Sequence, residues 1–444
     1  MKLSKKKVNK GRAGSGSPNR TARRGENHDT TKTILAGFFI GLLFTVLLIG
    51  ANWVFERTQW GAEILSMSYN LLQRQLSSDA AGEDLPVIIV DINDLKIDKD
   101  SQATPRKSLE ALIDQIAKQS PKAIGIDMDF SPDEDGYITQ DDPDFFDHCL
   151  ALKSKTPIFL GIWRSQANPP DEWLGVEDYK ELAASIMIPK EDTKEMVKRI
   201  VSQDGRQTGW TMAGALVNSI HAEGDDVPAW INWAVESVSK TKLSPDLSVE
   251  QFLVDYSPLK TLVKECLHTK SPEVISDQGR LLRNKFVLVG DATLGAPGDT
   301  FVVPGHGEIT PGVYFHACAV YTLAKAPLYK LTLRGRLAID LLLSAAVIGS
   351  VTAIRLRYRT AAQTVATHRI QRVFTFVMAL AAFVVGYLFV AKTRIFWDDF
   401  ILVIAALLLH PYVEHRVIRL ARWCRILVPA AWRKLVFEVE KEER

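Results

Sequence analysis

The fold is set by one stretch, residues 85–130, which reads LPVIIVDINDLKIDKDSQATPRKSLEALIDQIAKQSPKAIGIDMDF. Its first apolar run is rich in β-branched residues, ends at Asp91 and predicts a buried strand. Leucines and isoleucines at helical spacing between Pro105 and Pro121 predict an amphipathic helix. The following run AIGID, residues 123–127, predicts a second buried strand. Strand, helix and strand within about forty residues make a βαβ unit, so the two strands are expected to be parallel.

Later segments repeat this alternation. TPIFLGIW, residues 156–163, predicts a further strand, and KFVLVG predicts another that ends in a turn at Gly290. The run YFHACAVYTLAKAP after Pro311 predicts a helix. The sequence therefore predicts an α/β fold with a mostly parallel sheet, in a domain over residues 55–332. Residues 141–248 are polar, rich in tryptophan and interrupt the succession of strands, so we expect a cap or insertion there.

Four blocks nearly free of charge lie towards the two ends of the chain: residues 34–54, 337–354, 373–391 and 396–413. At 1.5 Å per residue, the first block covers roughly 30 Å, which is the thickness of the hydrocarbon core of a bilayer. The residues after Val54 offer no small-residue cleavage site, so we expect an uncleaved anchor. The chain is predicted to have four transmembrane helices, one before the domain and three after it.

Basic residues crowd around these blocks, although the formal net charge is only +2. They dominate the leader (residues 1–33), the loop 355–372 and the tail (residues 414–444). Because positive flanks stay inside, we expect an inner (cytoplasmic) membrane protein with both termini in the cytoplasm and the domain in the periplasm or outside the cell. The leader is predicted to be disordered, and the tail to form a basic amphipathic helix for membrane lipid or a protein partner.

The composition excludes several classes of protein. The chain is 47% hydrophobic and 24% charged, but the apolar residues are concentrated in blocks. This distribution argues against a purely soluble protein, a disordered protein and a polytopic channel. Nucleic-acid binding would need a basic face on a folded domain, whereas the region between the apolar blocks is acidic or mixed. We therefore expect no nucleic-acid partner.

Aspartates sit at or just beyond the ends of the predicted strands: Asp91, Asp94, Asp127, Asp129, Asp291 and Asp299. Ligands of open α/β sheets bind beyond the carboxyl ends of the strands. These acids could bind calcium or magnesium, hydrogen-bond an amine or a sugar, or cap helices and tie loops together. The sequence leaves these three roles open. It leaves the metal unknown and requires no cofactor.

His316 and the cysteines are the other candidates for chemistry. His316 could be a general base, a ligand or a hydrogen-bonded core histidine, and no serine or cysteine stands beside it in a nucleophile motif. With no nucleophile–base pair visible, we do not expect an enzyme, and no catalytic residue is predicted. An odd number of cysteines lies in the domain (Cys149, Cys266 and Cys318), so at least one thiol is unpaired and a Cys149–Cys266 bridge stays open.

The order of the motifs resembles the second class of CHASE domain, an extracytoplasmic sensory module named for cyclases and histidine kinases. The resemblance is carried by Asp91-Ile92, the AIGID run, FLVDY at 252–256, VLVG at 287–290, Asp299, Pro304 and PGV at 311–313 with His316-Ala317. A single anchor before the domain and three spans after it also match that family. The family often has a tryptophan-proline-arginine stretch before the first helix, where this chain reads ATPR and keeps Pro105 and Arg106. Arg106 thus joins Asp91, Asp127, Asp129 and Asp299 as candidate ligand-binding residues.

Members of that family usually carry a cytoplasmic kinase or cyclase after the last span. Here only residues 414–444 follow it, which is too few to bury a catalytic core. We therefore expect a sensor that passes its signal to a separate protein effector, and the resemblance also implies a homodimer. Two alternatives stay open: an envelope scaffold without signalling, and an exported metal-assisted enzyme that uses the strand-end acids.

Overall fold

The computed structural model describes residues 58–76, 84–95, 104–131, 139–163, 179, 181–186, 199–200, 211–219, 235–236, 252–269, 275, 279–294, 299–305, 307–325, 328–331, 333–357, 373, 376–377, 380–381, 384–388 and 392–396. They fall into two compact units. The larger unit comprises Phe55–Ala338 and Phe383–Leu402, and the smaller one includes Ile339–Ala382. The leader, the predicted first span and the tail lie outside the described residues.

The strands are β1 (Val87–Asp91), β2 (Ala123–Asp127), β3 (Ile158–Ile162), β4 (Ala183–Ser185), β5 (Arg199–Ile200), β6 (Val235–Glu236), β7 (Phe252–Leu253), β8 (Leu267–His268), β9 (Phe286–Gly290), β10 (Thr300–Val302), β11 (Ile309–Pro311), β12 (Tyr329–Leu331) and β13 (Ile395–Phe396). The helices are α1 (Gln59–Leu76), α2 (Arg106–Ala117), α3 (Asp142–Lys153), α4 (Met212–Asn218), α5 (Leu259–Glu265), α6 (Gly312–Ala324) and α7 (Leu333–Arg357). A short 3₁₀ turn spans Gly279–Leu281.

The centre of the larger unit is a six-stranded sheet in the order β4-β3-β2-β9-β1-β8. Every neighbouring pair in it is parallel. The predicted α/β fold with a mostly parallel sheet is therefore confirmed. β9 comes late in the chain and inserts between β1 and β2, so the first two strands do not touch each other.

Helices cover both faces of this sheet. Alternate residues of the strands, such as Ile88, Val90 and Ile124, form one buried core with the apolar faces of α2 and α3. The opposite face is covered by α4 and α6, which contact β2 and β1 respectively, and by α5. Gly125 of β2 lets α4 approach closely, because a Cβ there would lie 2.7 Å from Met212 Sδ. Because helices cover both faces of the sheet, side chains on both sides of each strand are buried, and the strand sequences are continuous apolar runs.

Part of the range predicted as a cap belongs to this central layer. Of residues 141–248, α3 lies in the core on one face, β3 and β4 extend the sheet, and α4 covers β2. These parts of residues 141–248 are therefore not a cap. For the rest of that range the cap stays a prediction, because most of it lies outside the described residues. α1 and β8 have no counterpart among the predicted elements.

The predicted membrane segments are described only in part. The helix α7 covers residues 337–354, residues 373–391 are described with gaps, and 396–413 is described only at Phe396. Among the described residues, no helix has both the length and the apolar character needed to cross a membrane.

The three cysteines of the domain are buried free thiols. A bridge between Cys149 and Cys266 is therefore absent. All three thiols are unpaired, in agreement with the odd number of cysteines in the domain.

Candidate functional site

The last residues of four adjacent strands form one row across the carboxyl end of the sheet. Gly290 of β9 is in register with Asp127 of β2 on one side and with Asp91 of β1 on the other. His268 of β8 is in register with Asp91. Neighbours in register on parallel strands point to the same face, so both aspartates face the side covered by α6. Two strand spacings of about 4.8 Å separate their backbones, and each carboxylate pairs with a different histidine, Asp91 with His268 and Asp127 with His316.

Both carboxylate oxygens of Asp91 are hydrogen-bonded to other groups of the protein. Its Oδ2 lies 2.8 Å from His268 Nδ1, and its Oδ1 accepts from the backbone N–H groups of Asn93 and Ala292 at 3.1 and 3.0 Å. Its carbonyl accepts from Thr269. The His268 side chain is 63% exposed, so the pair borders solvent. This arrangement ties the loops after β1, β8 and β9 together, which is the loop-tying role that the sequence left open.

Cys266 and Tyr314 lie beside Asp91. Tyr314 donates a hydrogen bond to the Cys266 sulfur. Burial raises the pKa of Cys266 to about 11, an effect that this hydrogen bond partly offsets. Burial also raises the pKa values of Cys149 and Cys318. These three cysteines therefore remain protonated at neutral pH, which does not suit a thiolate nucleophile.

Asp127 pairs with His316, on the other side of Gly290. Asp127 Oδ1 lies 3.6 Å from His316 Nε2, and the two side chains are 4% and 2% exposed. His316 Nε2 also lies 3.2 Å from the carbonyl of Ile186, which follows β4. Asp127 Oδ2 and His316 Nδ1 are buried and have no hydrogen-bond partner among the described residues. Buried polar atoms are rarely left unpaired, so this pair is unlike the satisfied Asp91.

Burial also controls the charge of this pair. It raises the pKa of Asp127 to about 7, because the charged carboxylate is desolvated. It lowers the pKa of His316 to about 4, while nearby Asp299 and the bond to the Ile186 carbonyl act in the opposite direction. Between about pH 4 and 7 both side chains are therefore uncharged in the folded domain.

Small backbone features bring α6 onto this pair. A Cβ at Gly290 would lie 3.0 Å from Val313 Cγ2 and 3.1 Å from Asp127 Cβ, so glycine allows the first turn of α6 to meet the sheet. The Gly312 N–H donates to the Asp299 carbonyl at 2.9 Å, which fixes the start of the helix. Asp299 thus holds α6 through its backbone and acts on His316 through its charge.

Asp129 and Arg106 lie apart from both Asp–His pairs. Asp129 Oδ1 accepts from the N–H groups of Ser131 and Trp163, which ties the loops after β2 and β3 together. Arg106, at the start of α2, donates from Nε to Asp142 Oδ1 at 2.5 Å and lies over the Phe130 ring at 4.6 Å. The ligand role of these two residues stays a prediction.

A second polar centre lies in residues 254–257, which we call the junction loop. Tyr69 Oη and Gln73 Nε2 of α1 donate to the Val254 carbonyl at 2.6 and 2.8 Å. The Tyr256 N–H donates back to Gln73 Oε1 at 2.9 Å. The helix that follows the predicted anchor is therefore held to the domain by side-chain-to-backbone bonds, all of them buried.

Asp255 joins the junction loop to two further segments. Its backbone N–H donates to Thr322 Oγ1 of α6 at 2.8 Å. Its carboxylate, which is fully buried, accepts from Arg394 and from the Ser257 N–H. Arg394 has a left-handed backbone, with φ at 56°, and directly precedes β13. β13 in turn pairs with β12, the strand between α6 and α7.

α6 connects the two centres. His316 lies near its beginning and Thr322 near its end. The ring of Phe315 packs edge-on against His316 at 5.2 Å and lies 6.5 Å from the ring of Tyr256 in the junction loop. One helix of 13 residues therefore contacts both the buried Asp–His pair and the junction loop.

Sequence reasoning placed Asp91 and Asp127 at the correct edge of the sheet and singled out His316, but it missed His268 and the pairing of His316 with Asp127. His268 carries no motif, and the partner of His316 lies on a distant strand. Among the described residues, no group of three or more histidine, cysteine, aspartate or glutamate side chains could hold a metal ion. The metal role that the sequence left open thus has no such cluster in the described part of the chain.

Comparison with curated proteins and with solved structures gives no match. The family model of the CHASE2 domain matches residues 39–351 of this protein, which is most of the chain. This match includes all the strand-end acids, His316 and the junction loop. The matched range also contains the whole parallel sheet, including β9. The helix α7 begins within this range and ends six residues beyond it. The chain belongs to the CHASE2 family, whose members are extracytoplasmic sensory domains.

Proposed function

We propose that the chain is an integral membrane sensory protein of the inner membrane. Its periplasmic or extracellular domain detects a stimulus at the carboxyl edge of the sheet, and four transmembrane helices carry the response to a separate effector. Both termini lie in the cytoplasm in this proposal. A bound ligand, or a change of charge at the site, would bias two packings of the domain against its membrane segments.

The observation that carries this proposal is the ion pair between Asp255 and Arg394. Arg394 lies between the predicted third and fourth spans, and β13 beside it pairs with β12 of the domain. A loop that docks on the domain must be on the same side of the membrane as the domain. Docking therefore supports a layout in which the chain crosses twice between residues 332 and 392 and the tail lies inside.

Exposed apolar side chains support the membrane spans. In residues 337–354, Leu342 is 71% exposed, and in residues 373–391 the side chains of Phe376 and Val385 are also exposed. Segments with many large exposed apolar side chains are typical of surfaces that meet lipid or another protein. These side chains suit the hydrocarbon core of a bilayer.

The buried thiols and the satisfied Asp91 support a role without catalysis. No cysteine of the domain suits a nucleophile, and Asp91 already binds protein donors at both carboxylate oxygens. We therefore propose that this domain senses and does not catalyse.

A biotin ligase fused after Arg444 tests the layout and the signalling role together. The enzyme needs ATP, so we expect it to label proteins only if the tail lies in the cytoplasm. The labelled set should include a kinase, a cyclase or another effector. The matched control is the ligase fused after residue 332, which should label nothing. Absence of labelling by the full-length fusion would contradict the layout. Labelling that repeatedly lacks an effector would remove the signalling role and favour an envelope scaffold.

Replacement of Asp255 by Asn tests the junction loop as the link to the membrane segments. Asn can still accept from Ser257, but it loses the charge that Arg394 binds, at a cost of about 1.5–3 kcal/mol. We expect faster hydrogen exchange both in β13 and in α1 around Gln73, measured on the full-length protein in detergent. Asp84→Asn is the matched control, because Asp84 forms an exposed ion pair with Lys285. Faster exchange only in the junction loop itself, with β13 and α1 unchanged, would show that these segments are not coupled.

A further inference from the structure

The pair formed by Asp127 and His316 is unusual because each partner leaves a polar atom unpaired inside the protein. Asp127 Oδ2 and His316 Nδ1 are buried, and neither has a hydrogen-bond partner among the described residues. The two side chains are in contact range, with 3.6 Å between Oδ1 and Nε2. A Cβ at Gly290 would lie 3.0 Å from Val313 Cγ2 and 3.1 Å from Asp127 Cβ, so the start of α6 packs closely on the strands beside this pair. A proton can bind to such a buried pair without any cavity beside it.

We propose that Asp127 and His316 form a buried site that holds a single proton, and that loss of this proton is the stimulus that the domain detects. This inference rests on the proposed sensory function and names its stimulus. The proton resides on a carboxyl oxygen of Asp127. His316 is neutral and uses its Nε2–H for the carbonyl of Ile186, which lies at 3.2 Å.

Deprotonation changes the charge of a buried group. The O–H bond of the Asp127 carboxyl breaks, the electron pair stays on the oxygen and the proton passes to water. The carboxylate that remains has no bound N–H donor among the described residues, because His316 directs its Nε2–H to Ile186. A buried unpaired charge is costly, so the approach of His316 on α6 to Asp127 becomes unfavourable.

The elements around the pair supply little compensating charge. Asp299, before β10, faces His316 and is negative, so it favours the protonated imidazole and does not stabilise a carboxylate on Asp127. The residue after β4 contributes the Ile186 carbonyl, β9 contributes Gly290, and α6 contributes Val313 and Phe315 besides His316. Relief therefore requires movement of α6, which reaches the junction loop through Phe315 and Thr322.

The two side chains make opposite contributions to the pH dependence of stability. The pKa of Asp127 rises from its ordinary value of 3.8 to about 7 on folding, so Asp127 alone makes stability fall as the pH rises through that window. The pKa of His316 falls from 6.5 to about 4, so His316 alone makes stability increase between those values. Between about pH 4 and 6.5 the pair binds one proton in both states: Asp127 holds it in the folded chain and His316 holds it in the unfolded chain. The two opposite contributions to the pH dependence of stability therefore largely cancel.

Four full-length proteins in detergent separate these contributions: wild type, Asp127→Asn, His316→Gln and the double variant. The melting temperature is followed by tryptophan fluorescence between pH 4.5 and 6.5, and the value of the double variant is subtracted at each pH. We expect this difference to increase with pH in Asp127→Asn, to fall with pH in His316→Gln and to change little in wild type. Asp94→Asn, an exposed acid near the same edge, should behave as wild type. Equal slopes in both single variants and the double variant would overturn the shared-proton site.

The stimulus is tested by hydrogen exchange on the same proteins between pH 5.5 and 8, corrected for the intrinsic pH dependence of exchange. Wild type should lose protection at the start of α6 with a midpoint near neutral pH, and Asp127→Asn should lack this transition. A wild-type protein without the transition overturns the proposal, and this measurement needs no variant to fold. Neither readout involves an effector. Failure here is therefore distinct from failure of the biotin-ligase experiment, which tests the layout and the signalling role.

Discussion

Arg106→Leu is expected to destabilise the larger unit by about 3–5 kcal/mol, because it leaves a buried carboxylate without its partner. Arg106 and Asp142 are each 2% exposed in their side chains and form a direct ion pair. The guanidinium also lies over the ring of Phe130, and that contact is lost as well. Chemical unfolding of the full-length protein in detergent, followed by tryptophan fluorescence, measures the loss.

The double variant Arg106→Leu/Asp142→Leu separates pairing from packing. Removing both charges eliminates the unpaired buried charge, so part of the lost stability should return. The remainder is the loss of the two hydrogen bonds that Thr139 donates to Asp142. Arg280→Leu is the control for loss of an exposed arginine and should have little effect. If Arg106→Leu keeps full stability but abolishes the response to a stimulus, the ion pair is not its main role. The ligand-binding role implied by the family resemblance would then be supported.

Gly161→Ala is expected to cost about 3 kcal/mol or more, at the upper end of what overpacking causes. A Cβ at this position of β3 would lie 2.4 Å from the carbonyl oxygen of Met128 and 2.8 Å from Ile186 Cγ2. The nearest atom belongs to the backbone, so no side chain can rotate away to relieve the clash. We expect a melting temperature well below that of wild type, with β3 and β4 the first strands to lose protection from hydrogen exchange.

Gly349→Ala provides the matched control for this substitution. Gly349 lies within α7 and has open space where a Cβ would be placed, so alanine there should be neutral or slightly stabilising. A Gly161→Ala protein as stable as Gly349→Ala would mean that β3 can shift away from the loop after β2. The close approach seen in the structure would then not be a constraint on the fold.

The predictable part of the fold is the part encoded locally. β1, α2 and β2 follow one another within residues 85–130, and apolar periodicity with Pro105 and Pro121 is enough to place them. The position of β9 between β1 and β2 could not be predicted, because it depends on pairing between segments far apart in the chain. β8 has two residues and no periodic signal, so it could not be recognised either.

The candidate site was predictable only as an edge of the sheet. Asp91 and Asp127 end apolar runs, and the general rule for parallel sheets places strand ends together. Their partners required the register of β8 and the placement of α6, which no local pattern encodes. Arg106 illustrates the same limit. Its position before a helix was visible, whereas its partner lies 36 residues further along the chain.

The late arrival of β9 has a consequence for biosynthesis. The strand that fills the middle of the sheet is made about 160 residues after β2, which at ~5–20 residues per second means a delay of roughly ten to thirty seconds. During that time the flanks of the missing strand expose unpaired edges, which invite wrong association. The nascent polypeptide should therefore depend on holdase chaperones until residue 290 has emerged, and truncations that end before β9 should aggregate and be degraded.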